Sequence, residues 1–203
     1  MRQSLKAKRD PLAFEREQAI QALLHQAVAT HQWQVYYFDG SGFTTTPCVP
    51  YGWQQRGDTR RLPTTPSKRL NVMGFMSLSN DSFFHIVEGC VDSSAAIAAF
   101  DAFAARYAPT FEQTRKPCFV ILDNAPIHTS KAFLAKRGDW MSAGICLHFL
   151  PTYSPELNPI EILWRKIKYE WLPLDAYKSY KDMKEQVLAI LTKFGSKYTI
   201  IFE

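Results

Sequence analysis

The 203-residue sequence predicts an α/β domain in which helices cover both faces of one mixed β-sheet. Two observations lead to this prediction. Two strand-like segments lie only three residues apart, as the strands of an antiparallel hairpin do. After them, short buried strand patterns alternate with helical patterns, which is typical of βαβ units with parallel strands. A sheet that contains both kinds of pairing is mixed.

The first predicted elements are a helix over 10–30 and a strand over 35–39. The strand VYYFD ends on Asp39. The helix is predicted because apolar residues recur at helical spacing. These residues are Leu12, Ala19, Leu23, Leu24 and Ala27.

No periodicity follows from Gly40 to about Lys68, a stretch that holds four of the twelve prolines. A loop of this length inside a compact domain is either functional or a sign of a wrong assignment. Because no helix or strand holds its basic residues in a groove, we expect them to contact phosphates rather than bases. These basic residues are Arg56, Arg60, Arg61, Lys68 and Arg69.

The hairpin strands are predicted over 70–78 and 82–88, and a helix capped by Ser93 or Ser94 over 93–107. A buried strand over CFVILD then ends on Asp123. The remaining predicted elements are a helix over 130–140, a strand over 145–150, a helix over 159–171 and a helix over 179–194.

Composition excludes several classes of protein. With 46% apolar and 21% charged residues, the chain matches the globular average and not a disordered one. No apolar run approaches the roughly 18 residues of a membrane span, and the charged N-terminus does not resemble a signal peptide. The four cysteines lie far apart, so we expect a cytoplasmic protein with reduced thiols. The net charge of +5 is compatible with a polyanionic partner.

Three acidic residues are candidates for a metal site. Asp39 and Asp123 each end a predicted strand, and Glu161 stands near the start of a predicted helix. Carboxylates at neighbouring strand ends project into the crevice where open α/β sheets bind ligands. Converging carboxylates repel each other unless cations compensate them, and hard oxygen ligands suit Mg²⁺ or Mn²⁺. The pattern alone is weak, because nineteen acids allow many such triples and strand-end aspartates are common in turns.

Three sequence blocks strengthen this interpretation. They are FDGSGF (38–43), VILDNAPIHTS (120–130) and LPTYSPELNPIEILWRKIK (150–168). Together they resemble the catalytic blocks of DDE transposases, most specifically the mariner-type superfamily in its bacterial insertion-sequence branch. The block SPELNPIE is the most specific of the three, and PYGWQQRG (50–57) resembles the loop after the first strand. The resemblance covers about 33–175, most of the chain.

The resemblance implies an RNase H-like catalytic domain over 33–203, with the loop 44–68 inserted and a helix or linker over 1–32. It implies two Mg²⁺ ions, which Mn²⁺ can replace, held by Asp39, Asp123 and Glu161. It also implies nicking of double-stranded DNA at element ends, followed by strand transfer from a 3′-hydroxyl without a covalent protein–DNA intermediate. Because two ends are joined, we expect a homodimer on DNA.

Further residues near the blocks have a functional and a structural interpretation. His128 either contacts a phosphate or metal-bound water, or positions its turn. Asn124 is expected beside Asp123 in the outer shell, and Asn158 as a cap of the helix that carries Glu161. The residues Lys166 and Lys168 are expected to face DNA phosphates, whereas Trp164 is expected in the core.

The chain departs from the family pattern in two respects. Gly40 stands where the branch has an acid. Full-length members also begin with helix-turn-helix modules, and only one predicted helix precedes the first strand here. We therefore expect an upstream product to supply these modules, or the chain to be a truncated form. Two alternatives stay open: another RNase H-like nuclease, which SPELNPIE argues against, and a non-catalytic DNA-binding or dimerising fragment that regulates a transposase.

Overall fold

A computed structural model describes residues 8–47 and 68–202 as a five-stranded sheet with helices on both faces. The strands lie in the order β3-β2-β1-β4-β5. They are β1 Gln34–Phe43, β2 Leu70–Met76, β3 Ser82–Val87, β4 Cys118–Leu122 and β5 Ile145–Phe149. The helices are α1 Pro11–Ala29, α2 Ser93–Thr114, α3 Lys131–Ala135, α4 Arg137–Ser142, α5 Ile160–Lys166 and α6 Tyr180–Thr192.

The sheet is mixed, as predicted. Strands β1, β2 and β3 pair antiparallel, with β2 and β3 forming the expected hairpin. Strand β1 also pairs parallel with β4, and β4 pairs parallel with β5. β1 is therefore the strand at which the pairing changes direction, and it contains the first of the three sequence blocks, 38–43.

Two hydrophobic cores lie on opposite faces of the sheet. Successive residues of a strand point to opposite faces, so Tyr37 belongs to one core and the adjacent Phe38 to the other. The Tyr37 face is covered by α1, α5 and α6, and the Phe38 face by α2, α3 and α4. The prediction of helices on both faces is thus confirmed.

Several predicted elements differ from the structure. Strand β1 does not end at Asp39 but continues to Phe43, because β2 pairs with it along this whole stretch. Helix α2 continues to Thr114, and its cap is Asp92, whose side chain accepts a hydrogen bond from the backbone N–H of Ala95. The helix predicted over 130–140 is two short helices, α3 and α4.

Helix α1 turns a partly polar face toward the sheet. Of the apolar residues whose spacing predicted this helix, Leu24 and Ala27 are buried, but Leu12 and Leu23 are 63% and 64% exposed. The buried face also contains Glu17, which accepts from His148 Nε2 at 2.9 Å, and Gln21, which donates to a backbone carbonyl of the loop before α5 at 2.9 Å. The apolar spacing did not reveal these two buried polar residues, because their hydrogen-bond partners lie far away in the sequence.

No helix in the described part of the chain is both long enough and apolar enough to cross a membrane. The division of the chain at residue 32 stays a prediction.

Candidate active site

The register of the sheet brings Asp39 and Asp123 to the same level. Tyr37 of β1 pairs with Ile121 of β4 in parallel, so the residues two positions further along both strands, Asp39 and Asp123, are neighbours. β4 ends at Leu122, whereas β1 continues beyond it alongside β2. Asp39 therefore lies within a strand, just past the end of the parallel pairing.

Glu161 approaches the two aspartates from helix α5. The loop between β5 and α5 returns over the end of the sheet and delivers the helix to the Tyr37 face. A cleft of about 260 Å³ is lined by all three acids, Asp39, Asp123 and Glu161. The structure thus brings together the three carboxylates that the sequence singled out.

Asp39 is the most perturbed of the three acids. Burial, followed by the negative charges of Glu161 and Asp123, raises the pKa of its carboxyl to about 7. A hydrogen bond from the backbone of Gly40 and the nearby indole N–H of Trp164 oppose this rise in the pKa only in part. Asp39 is therefore a carboxylate whose charge is not balanced by the protein around it.

Asp123 is held by the turn that follows it. His128 Nδ1 lies 2.8 Å from Asp123 Oδ1, and the backbone N–H of Ala125 donates to the same oxygen at 3.1 Å. These hydrogen bonds, the one from His128 first, lower the pKa of Asp123. The imidazole of His128 is buried between the rings of Phe38 and Phe133. It can therefore orient Asp123 with little freedom of its own.

Two asparagines fasten the loops that carry the acids. Asn124 donates through Nδ2 to the backbone carbonyl of Leu150, which ties the turn after β4 to the end of β5. Asn158 donates through Nδ2 to the carbonyl of Phe38 at 3.1 Å, which ties the loop before α5 to β1. The prediction of Asn158 as a helix cap is wrong: no side chain caps α5, because that of Asn158 is committed to β1.

Glu161 lies at the mouth of the cleft, with much of its surface open to solvent. The atoms of the cleft around its carboxyl partly desolvate it and so raise its pKa, an effect that Lys168 opposes and Asp123 reinforces. The Lys168 ammonium lies 5.4 Å from the centre of the Phe43 ring. Lys168 and Glu161 line the same surface depression. Lys166, the other predicted DNA contact on this helix, forms an ion pair with Glu170 at 2.7 Å.

A second, larger cleft of about 960 Å³ adjoins the acids and has a basic rim. Lys68 and Arg69 line it together with Asp39 and Asp123. The other predicted basic contacts, Arg56, Arg60 and Arg61, lie outside the described residues, and so does the segment PYGWQQRG. Two residues of α6 that the sequence did not indicate, Tyr180 and Lys184, line the same cleft. Nothing local marks them, because their position depends on how α6 packs on the sheet.

The side chains that line the smaller cleft carry oxygen atoms of the kind that divalent cations bind, although the three acids are spread apart. Across 8–47 and 68–202, no three acidic, histidine or cysteine side chains stand close enough to enclose an ion between them. Three carboxylates nevertheless line the cleft and repel each other, and Asn158 Oδ1, a further hard oxygen at its wall, is buried without a hydrogen-bond partner. Hard oxygen ligands of this kind favour Mg²⁺ or Mn²⁺.

Comparison with known proteins gives a consistent result. A family model described as DDE superfamily endonuclease matches residues 34–184. The insertion element IS630 uncharacterized 39 kDa protein of Shigella sonnei is 27% identical over 161 residues, which cover 78% of this chain and 44% of that protein. The chain therefore spans less than half the length of this relative.

Solved structures of similar fold include the catalytic domain of Mos1 mariner transposase, with a TM-score of 0.55 and 15% identity over 89% of this chain and 80% of that one. The Mos1 mariner paired end complex with Mn has a TM-score of 0.59 and 17% identity, over 89% of this chain and 54% of the other. These matches confirm the predicted RNase H-like fold.

Proposed function

Because this chain belongs to the DDE superfamily endonucleases, we propose that it is the catalytic domain of an insertion-element transposase. In this proposal it cuts DNA strands at element ends with the help of divalent cations and transfers the 3′-hydroxyl ends to a target. The observation that carries the proposal is the meeting of Asp39, Asp123 and Glu161 in one cleft at the point where parallel pairing ends. The whole reaction, its substrates and its partners are part of the proposal.

Asp39, Asp123 and Glu161 would hold the cations, Mg²⁺ or in its place Mn²⁺. Such ions, when bound, stabilise the attacking and leaving oxygens of a phosphodiester. His128 orients the Asp123 carboxylate through its Nδ1 contact. Asn124 and Asn158 keep the two loops in register with the sheet. Each of the three acids is thus held by a different element of the fold.

DNA would lie along the second cleft, past the acids. Lys68, Arg69 and Lys184 line this cleft, and Lys184 is paired there with Glu88 at 3.7 Å, an acid that a phosphate would replace as its partner. These cations would contact a phosphate backbone. Lys166, at the end of the helix that carries Glu161, and Lys168, in the π-helical turn that follows, extend the basic surface. The proposed partner is double-stranded DNA, and the place of action is the cytoplasm, where bacterial DNA lies.

Pairing of two DNA ends also calls for two catalytic domains, so we extend the proposal to a homodimer on DNA. One similar structure is described as a paired end complex, which supports this arrangement by analogy. The chain covers less than half of its Shigella relative. Modules that recognise the element ends would therefore come from a part of the protein, or from a partner product, outside this sequence.

The function is tested by incubating the purified chain with supercoiled plasmid and Mg²⁺ or Mn²⁺. We expect nicked plasmid whose new ends a DNA polymerase extends without prior phosphatase treatment, because hydrolysis by this mechanism leaves a 3′-hydroxyl. EDTA should abolish nicking. Binding of the plasmid without any nicking in either metal would contradict the proposal and favour the regulatory, non-catalytic alternative.

Lys184 offers a sharp test of the DNA path, because Lys181 on the same helix is a matched control. Each phosphate that a protein cation neutralises adds about 0.9 to the slope of log K against log salt for duplex DNA. We expect Lys184→Ala to flatten the slope by roughly one unit, equally for unrelated sequences. Fluorescence anisotropy with a labelled duplex at several salt concentrations measures it.

Lys181→Ala removes a similar charge from α6. Both lysines form ion pairs, Lys184 with Glu88 at 3.7 Å and Lys181 with Glu185 at 3.9 Å, but Lys184 lines the cleft whereas the Lys181 side chain is 83% exposed outside it. For Lys181→Ala, the slope of log K for DNA binding against log salt should equal that of the unsubstituted protein. Equal slopes for the two variants would show that DNA does not follow the cleft past α6.

A further inference from the structure

Three buried polar side-chain atoms in the described part of the chain make no hydrogen bond. They are Asn71 Oδ1, Asn158 Oδ1 and Trp164 Nε1. Asn71 and Asn158 line the two clefts that contain Asp39. Trp164, which was expected to be an ordinary core residue, is 3% exposed and lies near the same acid. A buried donor without a partner is unfavourable, so its presence beside an active site calls for an explanation.

The position of the Trp164 ring is set by the absence of a side chain at Gly74. Gly74 is the direct cross-strand partner of Asp39 in the β1–β2 pairing, and paired residues face the same side of the sheet. A Cβ on Gly74 would come within 2.8 Å of Trp164 Cη2 and 2.9 Å of Cζ2. The indole therefore occupies the space that any other residue would fill, directly beside the Asp39 side chain.

Aromatic rings fix the indole in this space. Phe43 and Phe84 contact the ring of Trp164, with centroid distances of 6.3 Å and 6.1 Å. Nε1 is two bonds from Cζ2, so the N–H group lies close to the carboxylate. It lowers the pKa of Asp39, although it does not complete a hydrogen bond in this structure. Trp164 also follows Glu161 by one turn of α5, so the same helix delivers both residues.

We propose that Trp164 is a positioning residue for Asp39. Its indole N–H donates to one carboxylate oxygen when the carboxylate binds a divalent cation, and it leaves the other oxygen to face the cleft. The inference rests on the proposed function, because it assigns a role toward the cation that Asp39 would hold. The buried N–H gains its partner in the cation-bound protein, and Gly74 is the residue that makes this approach sterically possible.

The direct test is a ¹H–¹⁵N spectrum of the indole groups of the full chain during titration with Mg²⁺. Trp164 is assigned by the signal that Trp164→Phe removes. We expect its indole proton to shift downfield and to saturate with Mg²⁺, as it does on forming a hydrogen bond to a carboxylate. The shift should be absent in Asp39→Asn.

A second readout is the affinity for Mn²⁺, measured by electron paramagnetic resonance of the free ion. Loss of an outer partner of a metal ligand typically weakens binding by about 10-fold or more, so we expect this effect from Trp164→Phe. Trp171→Phe is the matched control, because that ring packs on Phe194 and Tyr198 away from the acids. Its Mn²⁺ affinity should remain within about twofold of the unsubstituted value, well below the loss of an outer partner.

Gly74→Ala gives a third variant that retains the tryptophan but displaces its ring, and it should weaken Mn²⁺ binding in the same direction. Saturable shifts of backbone amides around Asp39 and Asp123 with an unmoved Trp164 indole would overturn the inference and leave the proposed function intact. Equal Mn²⁺ affinities of the Trp164 and Trp171 variants would do the same. A titration in which no signal responds to Mg²⁺ would overturn both.

Discussion

Replacing Asp123 by asparagine is expected to abolish metal-dependent DNA cleavage while the protein stays folded. Loss of an outer partner of a metal ligand costs about 10–100-fold, so loss of a ligand itself should exceed about 100-fold. The fold should persist because the substituted amide retains Oδ1 to accept from His128 and from the Ala125 N–H, the two hydrogen bonds that hold Asp123 in place. Plasmid nicking in Mg²⁺ measures the loss, and thermal melting checks the fold.

The same loss is expected for Asp39→Asn and Glu161→Gln, since each removes one carboxylate from the shared cleft. Glu170→Gln is the matched control: this acid lies nine residues after Glu161, and its contact is the surface ion pair with Lys166. It should cleave at the unsubstituted rate. Nicking that survives in the Asp123 variant would exclude the proposed carboxylate mechanism, whatever the other variants do.

The metal-free protein is expected to lose stability as the pH rises from about 4 to about 7, and Asp39 is the cause. Burial, followed by the charges of Glu161 and Asp123, raises the pKa of Asp39 to about 7, above its value in the unfolded chain. The folded state then holds a proton that the unfolded state releases, so deprotonation disfavours folding. The penalty is absent below the unfolded pKa and complete above about pH 7. It amounts to at most about 4 kcal/mol, and to less where water reaches the side chain.

Urea unfolding at pH 5 and pH 8, with EDTA present, measures this effect. Asp39→Asn removes the charge, so we expect the variant to be more stable than the unsubstituted protein, by a larger margin at pH 8 than at pH 5. Added Mg²⁺ should stabilise the unsubstituted protein more than the variant, because a bound cation offsets the same charge. Glu170→Gln again serves as the control and should keep the original pH dependence. A pH dependence that is identical in Asp39→Asn would show that another group causes it.

Much of the candidate site could be predicted from the sequence, because its residues lie in short contiguous segments. Asp123 follows a buried strand directly and precedes the turn that contains His128, and the block VILDNAPIHTS, which contains both residues, resembles a catalytic block of DDE transposases. SPELNPIE placed Glu161 at the start of a helix in the same way. The hairpin of β2 and β3 was also predictable, because two strands separated by so short a turn have few other ways to pair.

Other features depended on residues far apart in the chain. Asp39 was predicted to end its strand, but β2 pairs with β1 as far as Phe43, and no residue within β1 reveals the length of its partner. The apolar spacing of the N-terminal helix did not reveal that Glu17 faces inward, because the partner of Glu17 is His148, 131 residues away. Lys184 lines the larger cleft only because α6 packs where it does.

Most helices and strands could be located from local patterns, since helical and strand periodicity are properties of consecutive residues. The register that places Asp39 beside Asp123, and the pairing of Asp39 with Gly74 that leaves room for the Trp164 ring, were visible only in the folded chain. The physical reason is that register and packing are set by contacts between segments tens of residues apart. The role of a buried polar group such as Trp164 Nε1 can be inferred only from the groups that lie next to it in the folded structure.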